Sequence, residues 1–257
     1  MAQEAQKAYT LVCGATSGFG FAVAQTLLEK SEPVLGIARR EEKLNRMKTD
    51  YDNFDFIAGD LTQEETIDRI ADFLNDHAVK AVFINSGGPP AAAFLETKLA
   101  DWDKAYEDIF RWKVKLALLL SDYMKKQEYG RIVFLESASV KQPIPNLVLS
   151  TSLRMAVVGM ARTMADELAE DGVTVNVLAP GSHDTNALQR LYVKAGEKQN
   201  ISLDQAKEQF KQKTGMKRLG NPIELASLAS WLLSKDAGFV TGQTITAAGA
   251  AVKGVFG

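Results

Sequence analysis

Three glycines, Gly14, Gly18 and Gly20, punctuate the stretch Cys13-Gly14-Ala15-Thr16-Ser17-Gly18-Phe19-Gly20. Glycine accepts tight turns and lets the backbone come close to a ligand where a Cβ would not fit. Apolar, β-prone Ala8-Tyr9-Thr10-Leu11-Val12 precedes the loop, and Phe21 to Lys30 follows with helical apolar spacing. The loop therefore reads as a strand-to-helix turn. The helix N-terminus behind it carries unpaired N–H donors and partial positive charge, which suit a pyrophosphate. The alternative is a turn that holds nothing. Further polar groups with chemical capacity are Arg39-Arg40, Asp60, Asn85, the Glu136-Ser137-Ala138-Ser139 run with Lys141, and His183.

These residues need a scaffold, and the rest of the chain describes one. Apolar runs at Pro33–Ala38, Phe54–Ala58, Val79–Ile84, Arg131–Leu135, Val173–Leu178 and Gln243–Ala247 read as strands after the first. Helical patterns alternate with them: Arg40–Lys48, a helix opened by Thr62-Gln63-Glu64-Glu65 with a hydroxyl cap, a long helix from Asp101 to Gln127, another from Ser150 to Glu170, and one opened by Asn221-Pro222. The stripe Leu153, Val157, Met160, Met164 and Leu168 reads as core. The polar, helical segment 185–213 reads as a lid over a cleft. Alternating strands and helices predict a parallel sheet covered on both faces. Ligands bind such sheets outside the carboxyl ends of the strands. The loops at Gly14, Arg39, Asp60, Asn85, Ser137 and Pro180 all lie there.

Bulk properties narrow the function. At 257 residues with net charge −2, the chain offers no electrostatic footprint for nucleic acid or an anionic membrane. One cysteine, Cys13, excludes an intramolecular disulfide and fits a reducing, cytoplasmic setting. His77 and His183 are far apart, so a His/Cys metal cluster is not expected. The apolar run Leu116-Ala117-Leu118-Leu119-Leu120 is too short to span a bilayer. Residues 1–257 are read as a single domain without linkers or repeats.

In this order and spacing, the motifs resemble those of the classical short-chain dehydrogenase/reductase family. The resemblance runs from Leu11 to about Gly249. Gly14-Ala15-Thr16-Ser17-Gly18-Phe19-Gly20 resembles the family's cofactor loop, Asp60-Leu61 its adenine-contacting pair, and Asn85-Ser86-Gly87-Gly88 its Asn-Asn-Ala-Gly motif with two residues changed. Pro180-Gly181, with Thr185 beyond, resembles the segment holding the nicotinamide carboxamide. Arg218–Glu224 and Val240-Thr241-Gly242-Gln243 resemble its C-terminal region. The resemblance implies a Rossmann-type, doubly wound α/β fold, a nicotinamide cofactor, a small-molecule carbonyl or alcohol substrate, and a homo-oligomer, tetramer or dimer. At the end of the second strand, an acid would bind a ribose 2′-hydroxyl and repel a 2′-phosphate. Arg39 and Arg40 stand there instead, which favours NADP over NAD, unless both are merely solvated at a helix start.

The catalytic positions depart from the family. Its serine maps to Ser137. Its Tyr-x-x-x-Lys motif falls on Ser150-Thr151-Ser152-Leu153-Arg154, so Ser150 replaces the tyrosine and Arg154 the lysine. Its asparagine falls near Ile109. A serine hydroxyl is shorter and less acidic than a phenol, and arginine does not relay protons. Arg154 remains able to hold ribose hydroxyls. Two roles are open for Ser150, a proton donor or a helix cap. His183 is a candidate acid because histidine titrates near neutrality, against the plainer reading of a solvated loop residue. Lys141 and Arg154 are alternatives for binding a substrate carboxylate or phosphate. The expected function is NADP-dependent hydride transfer with altered acid–base residues. The competing expectation is a non-catalytic NADP-binding sensor or structural subunit.

Overall fold

A computed structural model describes residues 7–255. Its centre is a seven-stranded sheet in the order β3-β2-β1-β4-β5-β6-β7. The strands are β1 (Ala8–Cys13), β2 (Val34–Ala38), β3 (Phe54–Ala58), β4 (Ala78–Asn85), β5 (Gly130–Leu135), β6 (Val173–Pro180) and β7 (Thr244–Ala247). All pairings are parallel; Leu11, for example, lies level with Leu35 on one side and Val82 on the other. The helices are α1 (Gly18–Leu28), α2 (Glu41–Asp50), α3 (Glu64–Asp76), α4 (Leu99–Tyr106), α5 (Trp112–Lys126), α6 (Val148–Glu167), α7 (Asn186–Gln199), α8 (Leu203–Gln212) and α9 (Pro222–Leu232).

Adjacent strand residues point to opposite faces, so each strand feeds two cores. Leu11, Leu35, Val82, Ile132 and Phe134 join Ile70 of α3, Leu116 and Leu120 of α5 and Val157 and Ala161 of α6. Their sequence neighbours Val12, Val34, Phe83 and Val133 join Val23 and Leu27 of α1, Leu44 of α2 and Leu225 and Leu232 of α9. Water is excluded from both faces. This is why β2 reads as an unbroken apolar run, and why every residue of β5 and β6 is buried, Arg131, Thr174 and Asn176 included. A third, small cluster of Leu188, Tyr192, Ala206 and Leu219 holds α7 against α8.

Strand order reverses between β1 and β4. The Gly14 loop and Asn85 therefore flank the crevice that opens where neighbouring connections leave on opposite faces. Asn85 Nδ2 lies 3.5 Å from the Cys13 carbonyl, and a Cβ on Gly14 would stand 2.9 Å from that nitrogen.

Three local expectations fail for identifiable reasons. Thr62 does not cap α3; its hydroxyl and N–H donate to Asp60, at 2.9 and 3.0 Å. The expected helix from Asp101 to Gln127 is broken by a π turn over Glu107–Arg111. That extra backbone rotation leaves Ile109, Trp112, Lys113, Leu116 and Leu120 buried. Finally, α6 begins at Val148, so Ser150 lies inside the helix and not at its cap. The expected stripe does meet the core, with Val157 buried and Met160, Met164 and Leu168 packed against it, partly covered, while Leu149, Ser150, Arg154, Ala161 and Ala165 are buried beside it.

The glycines of the first loop make different demands. Gly18 has φ +55° and nothing within 4 Å of where a Cβ would be. A Cβ on Gly20 would fall 2.4 Å from the Gly14 carbonyl oxygen and 2.7 Å from that of Cys13. Those are backbone atoms, which cannot swing aside. Gly20→Ala is therefore expected to lose about 1–3 kcal/mol by overpacking. Gly18→Ala should lose about 1 kcal/mol from its left-handed backbone alone. Urea denaturation midpoints of the two variants check the order; an equal or smaller loss in Gly20→Ala would contradict the tight strand–helix junction.

Candidate active site

The carboxyl ends of β1, β4, β5 and β6 and the start of α6 bring the expected polar residues to one edge of the sheet. At its centre is a buried ionic cluster. Glu136 follows β5, and its N–H donates to Leu178 of β6 at 2.8 Å. Its carboxylate accepts from Lys113 Nζ at 2.5 Å on Oε1 and from Arg154 Nη1 at 2.8 Å on Oε2. Side-chain exposure is 0% for Lys113 and Glu136 and 8% for Arg154. Arg154 also donates from Nε to Ser150 Oγ at 3.1 Å and from Nη2 to the Gly87 carbonyl at 3.0 Å. A single guanidinium thus connects α6, β5 and the loop after β4.

Two cations share one carboxylate in a place without water. Charges are costly to bury unless paired, so the arrangement holds only because each partner is in direct contact. Burial lowers the Lys113 amine to about 8, against the attraction of Glu136, with Arg154 repulsion acting the same way as burial. Ser150 Oγ accepts from Arg154, which leaves its hydrogen free to donate. The cap reading of Ser150 is thereby corrected: the residue preceding α6 is Leu147, which makes no side-chain cap, and the Ser150 oxygen serves Arg154 instead.

Ser137 stands next to the cluster, half-buried, with Oγ accepting from the Ser139 N–H at 3.1 Å. His183 is not a solvated loop residue. It is 7% exposed, its ring meets Phe19 edge-on at 5.1 Å, and a Cβ on Gly220 would overlap it. Its Nδ1 lies 3.1 Å from the Gly181 carbonyl, which can only accept, so Nδ1 carries the hydrogen. Burial pushes the ring's pKa below its ordinary value, with the Gly181 contact opposing. Among the described residues no hydrogen bond joins His183 to Ser137, Ser150 or Arg154. It lines instead a cavity of about 230 Å³ shared with Thr214, Met216, Arg218 and Thr246.

The loop after β1 has the form of an anion cradle. Ser17 precedes α1 without spending its side chain on a cap. Open space lies in front of Gly18 and of Gly87. Arg40 Nη2 donates to the Thr16 carbonyl at 2.9 Å and to Thr16 Oγ1 at 3.0 Å, bracing the loop from the end of β2. Arg39 projects outward, 79% exposed, with one loose contact to Asp60 at 3.5 Å. Burial raises the Asp60 carboxyl, but the Thr62 hydrogen bonds and the Arg39 charge outweigh it and hold the group below its usual range. Leu61 packs against the core beside it. Pro180 pairs with Ala247, Gly181 N–H donates to Ala247 at 2.9 Å, and Thr185 Oγ1 caps α7 by accepting from Leu188. The structure therefore fits a dinucleotide's phosphates at the Gly14–Gly20 turn.

Comparison with known proteins identifies the family of this fold. The family model described as "Enoyl-(Acyl carrier protein) reductase" matches residues 14–249. The chain belongs to the short-chain dehydrogenase/reductase family. It is 27% identical over 258 residues to the NADPH-dependent reductase BacG of Bacillus subtilis, covering 97% of this chain and 99% of that protein. It is 28% identical over 237 residues to the 3-oxoacyl-[acyl-carrier-protein] reductase MabA of Mycobacterium tuberculosis, covering 91% and 89%. The crystal structure of YwfH, an NADPH-dependent reductase involved in bacilysin biosynthesis, superposes with TM-score 0.91 at 24% identity, over 97% of this chain and all of that one, and supports the fold. Among the described residues no helix is long and apolar enough to cross a membrane, and no cluster of His, Cys, Asp and Glu could hold a metal ion.

Lys113 was not singled out from the sequence. It occupies the apolar stripe of Ile109, Leu116 and Leu120, and a cation on such a stripe is the signal that marks it. Removing the shared carboxylate should show what holds the cluster. Glu136→Gln leaves two buried cations unpaired and is expected to cost about 3–5 kcal/mol in urea denaturation at neutral pH. A loss under about 1 kcal/mol would mean that ionic pairing does not hold the cluster. Lys113 also makes stability pH-dependent. Its folded value, about 8, lies below the ordinary 10.5. The unfolded chain therefore binds the extra proton between those limits, and stability should rise with pH through that window. Subtracting the profile of Lys113→Met isolates this rise; identical slopes would refute it.

Proposed function

We propose that the chain is an NADP(H)-dependent oxidoreductase that moves hydride between a nicotinamide ring and a small-molecule carbonyl or alcohol. The observation that carries the cofactor reading is the arginine pair at the end of β2. Arg40 is committed to Thr16, while Arg39 is extended into solvent beside the adenine-side residue Asp60. Such an exposed guanidinium, held only by its loose contact to Asp60, matches a ribose 2′-phosphate. The NADPH dependence of the relative BacG supports the same cofactor. In this reading Gly14, Thr16, Ser17, Gly18, Phe19 and Gly20 hold the pyrophosphate. Asp60 and Leu61 border the adenine, Asn85 and Gly87 with Arg154 the ribose next to the nicotinamide, and Pro180, Gly181 and Thr185 the nicotinamide itself.

The bound cofactor supplies the hydride. The chain's residues orient the reactants and manage charge around the substrate oxygen. Ser137 offers a hydroxyl, and Ser150 a second one polarised by Arg154. Arg154 anchors the Gly87 loop and provides fixed positive charge where the family places a lysine. The acid–base chemistry is thus altered from the family pattern, and a serine so placed donates a hydrogen bond more readily than a proton. His183, packed away from Ser150, is poised for the cofactor side of the cleft. The α7–α8 hairpin serves as the lid of a single domain. Exposed Leu118 of α5 and Met155 of α6 favour a homo-oligomer, and the setting is cytoplasmic, where buried Cys13 stays reduced.

Arg39→Asp tests the central claim. It exchanges attraction for repulsion at the 2′-phosphate, so NADPH affinity should fall about tenfold to a hundredfold while NADH affinity changes little. Arg40→Met should weaken both cofactors together, because it removes the brace on the glycine loop rather than a phosphate contact. Titration calorimetry reads both. Equal losses in Arg39→Asp would show that Arg39 does not read the phosphate. A panel of aldehydes, ketones and alcohols with NADPH or NADP⁺ then tests turnover; tight NADPH binding without turnover across the panel favours a non-catalytic sensor or structural subunit.

A further inference from the structure

We infer that Lys113 is a positioning residue that, acting through Glu136, leaves one net positive charge on the Ser150–Arg154 edge of the cleft, and that this charge biases the site toward the reduced cofactor. The inference rests on the proposed NADP(H) site. Its basis is a charge count over a closed cluster. Lys113 and Arg154 contribute two cations, and Glu136 one anion, with all three side chains at or near zero exposure. Each carboxylate oxygen is occupied by one cation, so Glu136 cannot neutralise both. Without Lys113, the Glu136–Arg154 pair would be neutral. With it, the pair carries a surplus that solvent cannot screen.

The surplus faces the cleft through Arg154, whose Nη2 and Nε reach the Gly87 carbonyl and Ser150. The other side of the cluster is closed. Lys113 lies beneath the sheet edge, with Trp112 next to it on α5 and the Cys13 thiol of β1 within electrostatic reach. Burial raises that thiol to about 12, so it supplies no anion at neutral pH. The carboxylates of α3 do not help either, since Glu64 and Asp68 pair with exposed Lys115. Glu136, Arg154 and Cys13 are thus the ionisable groups that face Lys113 from neighbouring elements among the described residues. The oxidised nicotinamide ring carries one more positive charge than the reduced ring. A buried cation near it therefore disfavours NADP⁺ relative to NADPH, and equally favours negative charge developing on a substrate oxygen.

The consequence is readable without substrate. The ratio of the NADP⁺ to the NADPH dissociation constant, measured by calorimetry on the whole protein from pH 6.5 to 9.5, should be high at the acid end. It should fall about tenfold as Lys113 loses its proton near pH 8. Taking the ratio cancels the titration of the 2′-phosphate, which both cofactors share. Lys113→Met should show the low ratio at every pH. A ratio that does not change with pH in the unaltered protein overturns the inference, and this measurement stands even where Lys113→Met does not fold. A Lys113→Met ratio that keeps the original pH dependence overturns it as well. Absence of binding to either cofactor overturns the underlying site assignment instead.

Discussion

One carboxylate, Glu136, holds the β5–α5–α6 edge of this protein together. It sits between the ammonium of Lys113 and the guanidinium of Arg154, out of reach of water. Each cation comes from a different helix, and Arg154 extends the connection to Ser150 and the Gly87 loop. An ionic contact in such a place is demanding. Loss of Glu136 leaves two cations that the interior cannot solvate. The positions of α5, α6 and the β4 loop are therefore set by electrostatics as much as by apolar packing.

The fold makes such a site possible. Seven parallel strands are covered on both faces, so their carboxyl ends provide the places where polar side chains gather without breaking the core. The reversal of strand order between β1 and β4 opens the crevice there. On one side the glycine turn presents helix α1 by its N-terminus. On the other, β5 and α6 present the ionic cluster. Around the glycine turn stand the charged side chains of Arg39, Arg40 and Asp60, and the N-terminus of α1 offers backbone donors. The other half is built on buried charge.

Ser150 and Arg154 belong to this charged half. A hydroxyl and a guanidinium form a hydrogen-bonded pair that orients and polarises but does not release a proton. Glu136 and Lys113 are the other two charges of the cluster.

The strands, their parallel arrangement and the glycine turn were legible in the chain itself, because local periodicity and glycine placement act over a few residues. The Asp60-Leu61, Asn85 and Pro180-Gly181 loops could be located for the same reason: each follows directly on a strand. The start of α6 was not legible. Backbone packing extends the helix back to Val148 through residues without a side-chain cap, and so turns Ser150 from a cap into a partner of Arg154. The burial of His183 depends on Phe19 and Gly220, both distant in sequence. Lys113 lies on the buried stripe of α5, just after the π turn at Glu107–Arg111. Its pairing with Glu136 joins residues 23 positions apart, and that of Arg154 with Glu136 joins residues 18 apart. Local sequence sets where a strand or a turn forms, since those preferences arise from neighbouring atoms. Which charges share a buried space is decided only when separate elements pack, because the cost of an unpaired charge depends on what the completed interior places beside it.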